Sequence, residues 1–370
     1  MFRKIAAAAA AASLLCLSLQ TPALACTGIA LKAADGAVVY GRTMEWGTFD
    51  LKSRIILIPK GQEFTSIMPD GKQGLTWKGK YGIAAVDGFE KDAILDGMNE
   101  KGLAVGLFYH PGFAEYQKYV PADASRSLAP TEVAAFILSQ FTTTGEVKAA
   151  MQTVRVVPTV EPALGFPAPI HFLVTEPSGK AIVIEYTKGE LAIYDDPLGV
   201  ITNAPGFDWH MTNLRNYINL SPVALPGREI ADLDFKPLGG GSGMIGLPGD
   251  NTPPSRFVRA VAWTQTARKT ADGPETIYEV FRILDNFNVP LGASEGSRDP
   301  SHSMEGMRSS TLWTTAWDLK NRVLYYHTQH NRRVRMLDVA AIDFGALKGI
   351  VRIPLDKQKS QDIEDLTPRS

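Results

Sequence analysis

The segment Thr21-Pro22-Ala23-Leu24-Ala25-Cys26-Thr27-Gly28 constrains this chain more than any other stretch. Ahead of it stand Arg3 and Lys4 and then an apolar run from Ile5 to Leu19, with small residues at Ala23 and Ala25. A basic start, an apolar centre and an A-x-A site mark residues 1–25 as a secretory signal. Cleavage after Ala25 is expected to make Cys26 the first residue, with a thiol and a free α-amine on one amino acid. The thiol ordinarily titrates at about 8.5 and the amine at about 7.7 to 8, so the amine can take the thiol proton near neutral pH. Cys26 could instead be an ordinary residue beside a cleavage site. A lipoprotein signal, in which Cys26 is lipidated and its amine acylated, is a sharper alternative, but Ala23 stands where such signals carry a large aliphatic residue.

Cysteine usage sharpens the argument. The chain has two cysteines, and Cys16 lies inside the signal, so the exported protein keeps one thiol and no internal disulfide. In an oxidising compartment, periplasmic or extracellular, a lone cysteine at the first position is better explained by reactivity than by packing. The 38 basic and 39 acidic residues nearly balance, and loss of Arg3 and Lys4 leaves the protein slightly acidic, which argues against nucleic acid and anionic membrane surfaces as partners. No run after residue 25 is apolar for long enough to span a bilayer. With 45% hydrophobic residues the chain can build a sizeable core.

Alternating and apolar runs predict strands at 27–32, 38–42, 54–58, 83–86 and 103–108, the first two joined by Asp35-Gly36 into a hairpin that starts beside Cys26. Helical spacing predicts helices at 133–140, 145–154, 255–268 and 275–287. Further strands are expected at 170–175, 181–186, 191–194, 200–202, 312–318 and 323–328. With no Pro/Ser-rich linker and no repeat, residues 26–370 read as one interwoven domain in which sheets and helices form layers. Gly239-Gly240-Gly241-Ser242-Gly243 lacks the Gly-Lys-Ser/Thr of a phosphate cradle and reads as a loop. His327 and His330 have no carboxylate-bearing metal signature and read as a solvated sheet face. Met44, Trp46 and Phe49 suit either a pocket or a core.

Several segments occur in a telling order: Cys26-Thr27-Gly28, Gly41-Arg42-Thr43-Met44-Glu45-Trp46, Asp96-Gly97-Met98-Asn99-Glu100-Lys101-Gly102-Leu103, Ile201-Thr202-Asn203-Ala204-Pro205, and Thr252-Pro253-Pro254-Ser255-Arg256-Phe257. In identity and spacing, over nearly all of the chain from Cys26 onward, they resemble the choloylglycine hydrolase family, the penicillin V acylases and conjugated bile salt hydrolases among the N-terminal nucleophile hydrolases. The resemblance implies an α+β fold, an αββα four-layer sandwich with the cysteine at the start of a central strand. It implies Cys26 as nucleophile, Arg42 and Arg256 as its neighbouring arginines, Asn203 as an oxyanion donor through its side-chain amide, and the Phe108 backbone N–H as the second donor. Guanidiniums beside the thiol favour the thiolate, and an amide NH₂ suits a tetrahedral oxyanion. Glu45 departs from the family's aspartate by one methylene, and Phe108 stands where asparagine or tyrosine is common.

The expected reaction is hydrolysis of a linear, non-peptide amide, with no metal and no organic cofactor. Leu164-Gly165-Phe166-Pro167-Ala168-Pro169 and Leu107-Phe108-Tyr109 are similar to the penicillin V acylase side of the family, and Met44, Trp46, Phe108 and Tyr109 are expected to line a pocket for a phenoxyacetyl or fatty acyl chain. Conjugated bile salts and N-acyl homoserine lactones are the alternative substrates, and a lipidated envelope binding protein is the non-enzymatic alternative. The family resemblance suggests a homotetramer.

Overall fold

The computed structural model describes residues 26–47, 50–295 and 308–368. The signal segment and Phe49 lie outside the described residues.

The chain begins as expected, with the strand Thr27–Lys32 turning at Asp35-Gly36 into Val38–Trp46, in the register Gly28 opposite Arg42. Ala37 N–H donates to Asp35 Oδ1 in the turn, which sets the register of the hairpin. The second strand runs four residues past the expected end because Thr43 to Trp46 pair with Arg308–Asp318. The first sheet therefore has the order Val200–Ile201, Thr27–Lys32, Val38–Trp46, Arg308–Asp318, Val323–Thr328, Arg335–Asp338.

The second sheet takes the chain between and after these visits. Its order is Glu190–Asp195, Ala181–Thr187, Ile170–Thr175, Ala104–Tyr109, Ala93–Asn99, Ile83–Gly88, Arg54–Ile58, Val351–Pro354, antiparallel throughout. Ala93–Asn99, absent from the sequence expectation, is buried at Ile94, Asp96, Gly97, Met98 and Asn99, so it has no polar face to alternate with an apolar one.

Among the described residues five α-helices, α1 Val133–Gln140, α2 Thr144–Met151, α3 Phe207–Asn213, α4 Pro253–Thr266 and α5 Gly273–Leu284, complete the layers. α1 packs on the second sheet, and α1 and α2 share a core with its outer face through Val133, Ile137, Val147 and Met151. α2 opens on a capping box in which Thr143 Oγ1 accepts from Glu146 N–H and Glu146 accepts from Thr143 N–H, which stabilises its start by about 1 kcal/mol. α4 and α5 pack on the first sheet, α5 burying Ile277, Val280, Phe281 and Leu284. The result is the αββα sandwich that the resemblance implied.

One expectation is overturned here. His327 is not on a solvated sheet face: it is 4% exposed and lies 5.2 Å from the Phe281 ring, because α5 covers that face. His330, in the turn that follows, is partly exposed. The Gly239–Gly243 stretch is a loop, exposed except around Gly243, with Gly239 at a φ of 123° that side-chain-bearing residues avoid. Nearby the small hairpin Arg228–Ile230 and Leu233–Phe235 leaves Ile230, Leu233, Phe235 and Leu238 exposed.

Tyr40 of the first sheet crosses Gly106 of the second, and a Cβ on Gly106 would lie 1.9 Å from Tyr40 Oη. Gly106→Ala is expected to destabilise the protein by about 2 to 3 kcal/mol by overpacking, read as a lowered denaturant midpoint. Gly240→Ala, with nothing within 4 Å of the added carbon, serves as the neutral control. Equal midpoints for the two variants would show that the sheets yield at this crossing.

Candidate active site

Alternation along the first hairpin assigns its two faces. Arg42, Met44 and Trp46 point from Val38–Trp46 toward the second sheet, and Thr43 and Glu45 point toward the α4 and α5 layer. Cys26, 3% exposed, precedes Thr27 and joins the inner face, where its side chain lines a pocket with Met44 and Trp46.

Arg42 is wholly buried. Its guanidinium donates to the carbonyls of Leu107 and of Leu95 (3.0 Å), and its Nε to Thr43 O at 3.2 Å. It also lies 4.3 Å from the centre of the Phe108 ring, so carbonyl dipoles and a ring quadrupole replace its water. The Phe108 ring reaches under the first strand because Gly28 leaves the space, and a Cβ there would come within 2.6 Å of it.

Asn203, after the short strand Val200–Ile201, is 1% exposed and holds three chain segments together. Its Oδ1 accepts from the Cys26 nitrogen at 2.9 Å and from Arg256 Nη2 at 2.6 Å. Its Nδ2 gives one N–H to Tyr109 O at 2.7 Å, which leaves the second available to a ligand. Arg256, in the first turn of α4, also donates Nη1 to Cys26 O at 2.5 Å and to Thr27 Oγ1 at 3.0 Å. Burial lowers its titration to about 10, and the nearby Glu45 and Cys26 act in the opposite direction.

Glu45 turns its carboxyl group to two threonine hydroxyls and not to Cys26. Oε1 accepts from Thr311 Oγ1 at 2.6 Å and Oε2 from Thr43 Oγ1 at 3.1 Å, and the Glu45 backbone N–H acts on the Cys26 thiol in the direction that favours the thiolate. The ladder between the strands shifts register at this point, between Thr311 and Trp313. Burial pushes the carboxyl up to about 7. The thiol is also pushed up: burial outweighs the lowering by Arg42 and Arg256, so the two guanidiniums act as expected without by themselves producing a thiolate.

Phe108 departs from both of its expected roles. Its side chain is under Arg42, outside the pocket. Its N–H is committed as well: His110 N–H donates to Pro169 O, so Phe108 and His171, two residues along the same ladder, form a hydrogen-bonded pair. The next residue, Tyr109, sits opposite Ile170 in a pair whose N–H and C=O groups point away from each other, and its C=O is the group that meets Asn203. Tyr109 therefore turns its backbone N–H away from the Ile170–Thr175 strand and carries a pocket side chain. An off-by-one reading exchanges the two faces of a strand, and only the register against Ile170–Thr175 resolves it.

The pocket beside Cys26 is lined by Met44, Trp46, Leu51, Phe89, Leu95, Leu107, Tyr109, Leu164, Ala168 and Ile170. Trp46 meets Phe89 and Tyr109 edge-on, each at 5.9 Å between ring centres. Lys91 and Glu161, more exposed, pair at 3.0 Å along its wall. Met44, Trp46 and Tyr109 thus occupy the expected place, and so do Leu164 and Ala168. Leu51, Phe89 and Leu95 were not anticipated. A buried thiol, a fixed amide donor, a backbone N–H turned away from its strand partner and an apolar cleft make an arrangement suited to acyl transfer.

Because the buried Glu45 carboxyl titrates at about 7, above its ordinary 4.5, the native state holds its proton between those values and the unfolded chain does not. The stabilisation is complete below about pH 4.5 and lost as pH rises through 7. Comparing denaturant midpoints of the protein and Glu45→Gln across pH 4.5 to 8 is expected to show the protein losing about 3 kcal/mol relative to the variant. A constant difference would mean that Glu45 is ionised throughout.

Comparison with known proteins matches residues 26–352 to the model of linear amide C–N hydrolases, choloylglycine hydrolase family. The chain is 30% identical over 317 residues to the bile salt hydrolase/transferase of Clostridium perfringens, covering 85% of this chain and 92% of that one. It is 25% identical to the penicillin V acylase of Pectobacterium atrosepticum, covering 84% and 79%. A variant of the C. perfringens conjugated bile acid hydrolase superposes with a TM-score of 0.78 at 28% identity, over 92% of this chain and 99% of that one.

Proposed function

The chain belongs to the choloylglycine hydrolase family of linear amide C–N hydrolases, and from that premise we propose that it is a Cys26 amidase of the penicillin V acylase type. The observation that carries the reading is the position of Cys26: its sulfur opens into an aromatic cleft while its nitrogen is held by Asn203.

Removal of residues 1–25 turns that nitrogen into an α-amine, and the family match starting at Cys26 supports this. The amine takes the thiol proton, the sulfur attacks the amide carbon, and the carbonyl π pair moves to oxygen. The second N–H of Asn203 Nδ2 and the Tyr109 N–H receive that oxyanion. Arg256 keeps Asn203 and Cys26 in register, and Arg42 supplies a fixed positive charge beside the sulfur. The ammonium of Cys26 returns its proton to the leaving amine as the C–N bond breaks, and water then resolves the thioester.

Trp46, Phe89 and Tyr109 suit a phenoxyacetyl ring or a fatty acyl chain. A second reading, conjugated bile salt hydrolysis, is favoured by the names of the relatives at 30% identity. The signal segment supports an exported protein, and the exposed Ile230, Leu233, Phe235 and Leu238 support the homotetramer that the family resemblance suggests.

The test combines N-terminal sequencing with side-by-side assays of penicillin V, a glycine-conjugated bile salt and an N-acyl homoserine lactone. The expected result is a free Cys26 amine, fastest cleavage of penicillin V, and a loss of about 10³-fold or more in Cys26→Ser. Faster bile salt cleavage would replace the acyl assignment and keep the mechanism. Undiminished activity in Cys26→Ser would remove the nucleophile, and a lipidated, membrane-retained N-terminus without hydrolysis would favour the envelope binding protein.

A further inference from the structure

Behind Asn203, on the side away from Cys26, lies a buried cluster of His171, Glu185, His110 and His210, all within 2% exposure. His171 Nε2 is 3.0 Å from Thr202 O, and its Nδ1 is 3.0 Å from Glu185 Oε1. The same Glu185 oxygen accepts from Phe207 N–H at 3.0 Å, and His210 Nε2 is 3.1 Å from Asn203 O. The backbone on both sides of Asn203, from Thr202 to Phe207, is thus tied to these side chains.

Counting protons defines the pair. A carbonyl oxygen only accepts, so His171 Nε2 carries a hydrogen for Thr202. Nδ1 and Glu185 Oε1 then need a second hydrogen between them, since two bare lone pairs at 3.0 Å repel. Burial lowers His171 to about 3 and raises Glu185, which leaves that hydrogen on the carboxyl. A protonated carboxyl oxygen donates to Nδ1 and still accepts from Phe207, so one neutral pair serves both ends of the segment.

Metal binding does not fit the cluster. The rings of His110 and His171 are stacked, 4.2 Å between centres and 3° from parallel, and their lone pairs lie in the ring planes. No ion could sit about 2.0 to 2.1 Å from a nitrogen of each along those directions.

We propose that His171, Glu185 and His210 are positioning residues that hold the segment Thr202 to Phe207 so that the Asn203 amide faces Cys26. The proposal rests on the hydrolase reading above for its effect on rate, and on geometry alone for its effect on the segment. Glu185→Gln is the informative change. If the glutamine oxygen occupies the Oε1 site, His171 must place its hydrogen on Nδ1 and lose Thr202. If the nitrogen does, Phe207 loses its acceptor. Either orientation frees one anchor.

The experiment measures kcat, KM and amide hydrogen exchange over 202–207 in the full-length exported protein, Glu185→Gln and His210→Phe. The second variant keeps a ring against Phe257, which stacks on His210 at 4.6 Å, and drops only the bond to Asn203 O. The expected result in each is faster local exchange and kcat lower by about 10- to 100-fold, with KM within about threefold. Unchanged exchange at 202–207, or a kcat within twofold of the parent in both variants, overturns the proposal, as does a rate loss that tracks global unfolding without local exchange. If one variant does not fold, the other decides. Should the parent hydrolyse no amide, the functional reading fails, and the exchange data alone decide whether these residues hold the segment.

Discussion

The Asn203 carboxamide is the joint on which the site depends. Its oxygen accepts from Cys26 and Arg256 and its nitrogen donates to Tyr109, so a single planar group ties the first strand, the second sheet and α4 together. An amide has a fixed polarity, with acceptor and donors at opposite ends, and these partners determine which end faces which. The orientation that gives the oxygen to Cys26 also turns the nitrogen to Tyr109 O and leaves its second N–H for a ligand. In the proposed mechanism, holding the Cys26 nucleophile and shaping the oxyanion site are therefore one geometric requirement.

Around that joint the fold buries Arg42, Arg256, Glu45 and Asp96 almost completely. Isolated charges in such a place are costly, and each is compensated differently. Arg42 is solvated by carbonyls and the Phe108 face, Arg256 by Cys26 O, Asn203 and Thr27, Glu45 by two threonine hydroxyls, and Asp96 by Thr315 and Trp317. Dipoles fixed in this way need little reorganisation when charge appears on a reacting oxygen. The same burial raises the thiol, so in the proposed mechanism a proton acceptor on Cys26 itself matters more than a nearby positive charge.

Much of this could be read in the sequence because it rests on local pattern. The first hairpin announces itself by alternation and Asp35-Gly36, and strands such as Arg54–Ile58, Ile170–Thr175 and Val323–Thr328 are bounded as their composition suggests. Cys26, Arg42, Asn203 and Arg256 do converge. What sequence could not supply depends on partners distant in the chain. Phe108 and Tyr109 differ only in which neighbour each amide meets, the fate of the Glu45 carboxyl depends on Thr311, and His327 is buried because α5 lies over it. Ala93–Asn99 carries Asp96 and Gly97 in its centre, and those residues resemble a strand only when both faces are covered. α3 is too short for a periodic signal.

The long reach of the site's hydrogen bonds bears on the order in which it comes into being. The Cys26 nitrogen and Asn203 are 177 residues apart, and Arg256 and Cys26 O are 230 apart. Contacts of such separation close only after the intervening strands have paired, and topologies dominated by them fold slowly. A chain that has made its first hairpin and nothing more already exposes the thiol but has neither the amide that holds the Cys26 nitrogen nor the apolar cleft beside the sulfur. The grouping of Cys26, Asn203 and Arg256 therefore forms late, and a half-assembled molecule exposes the thiol without the site around it.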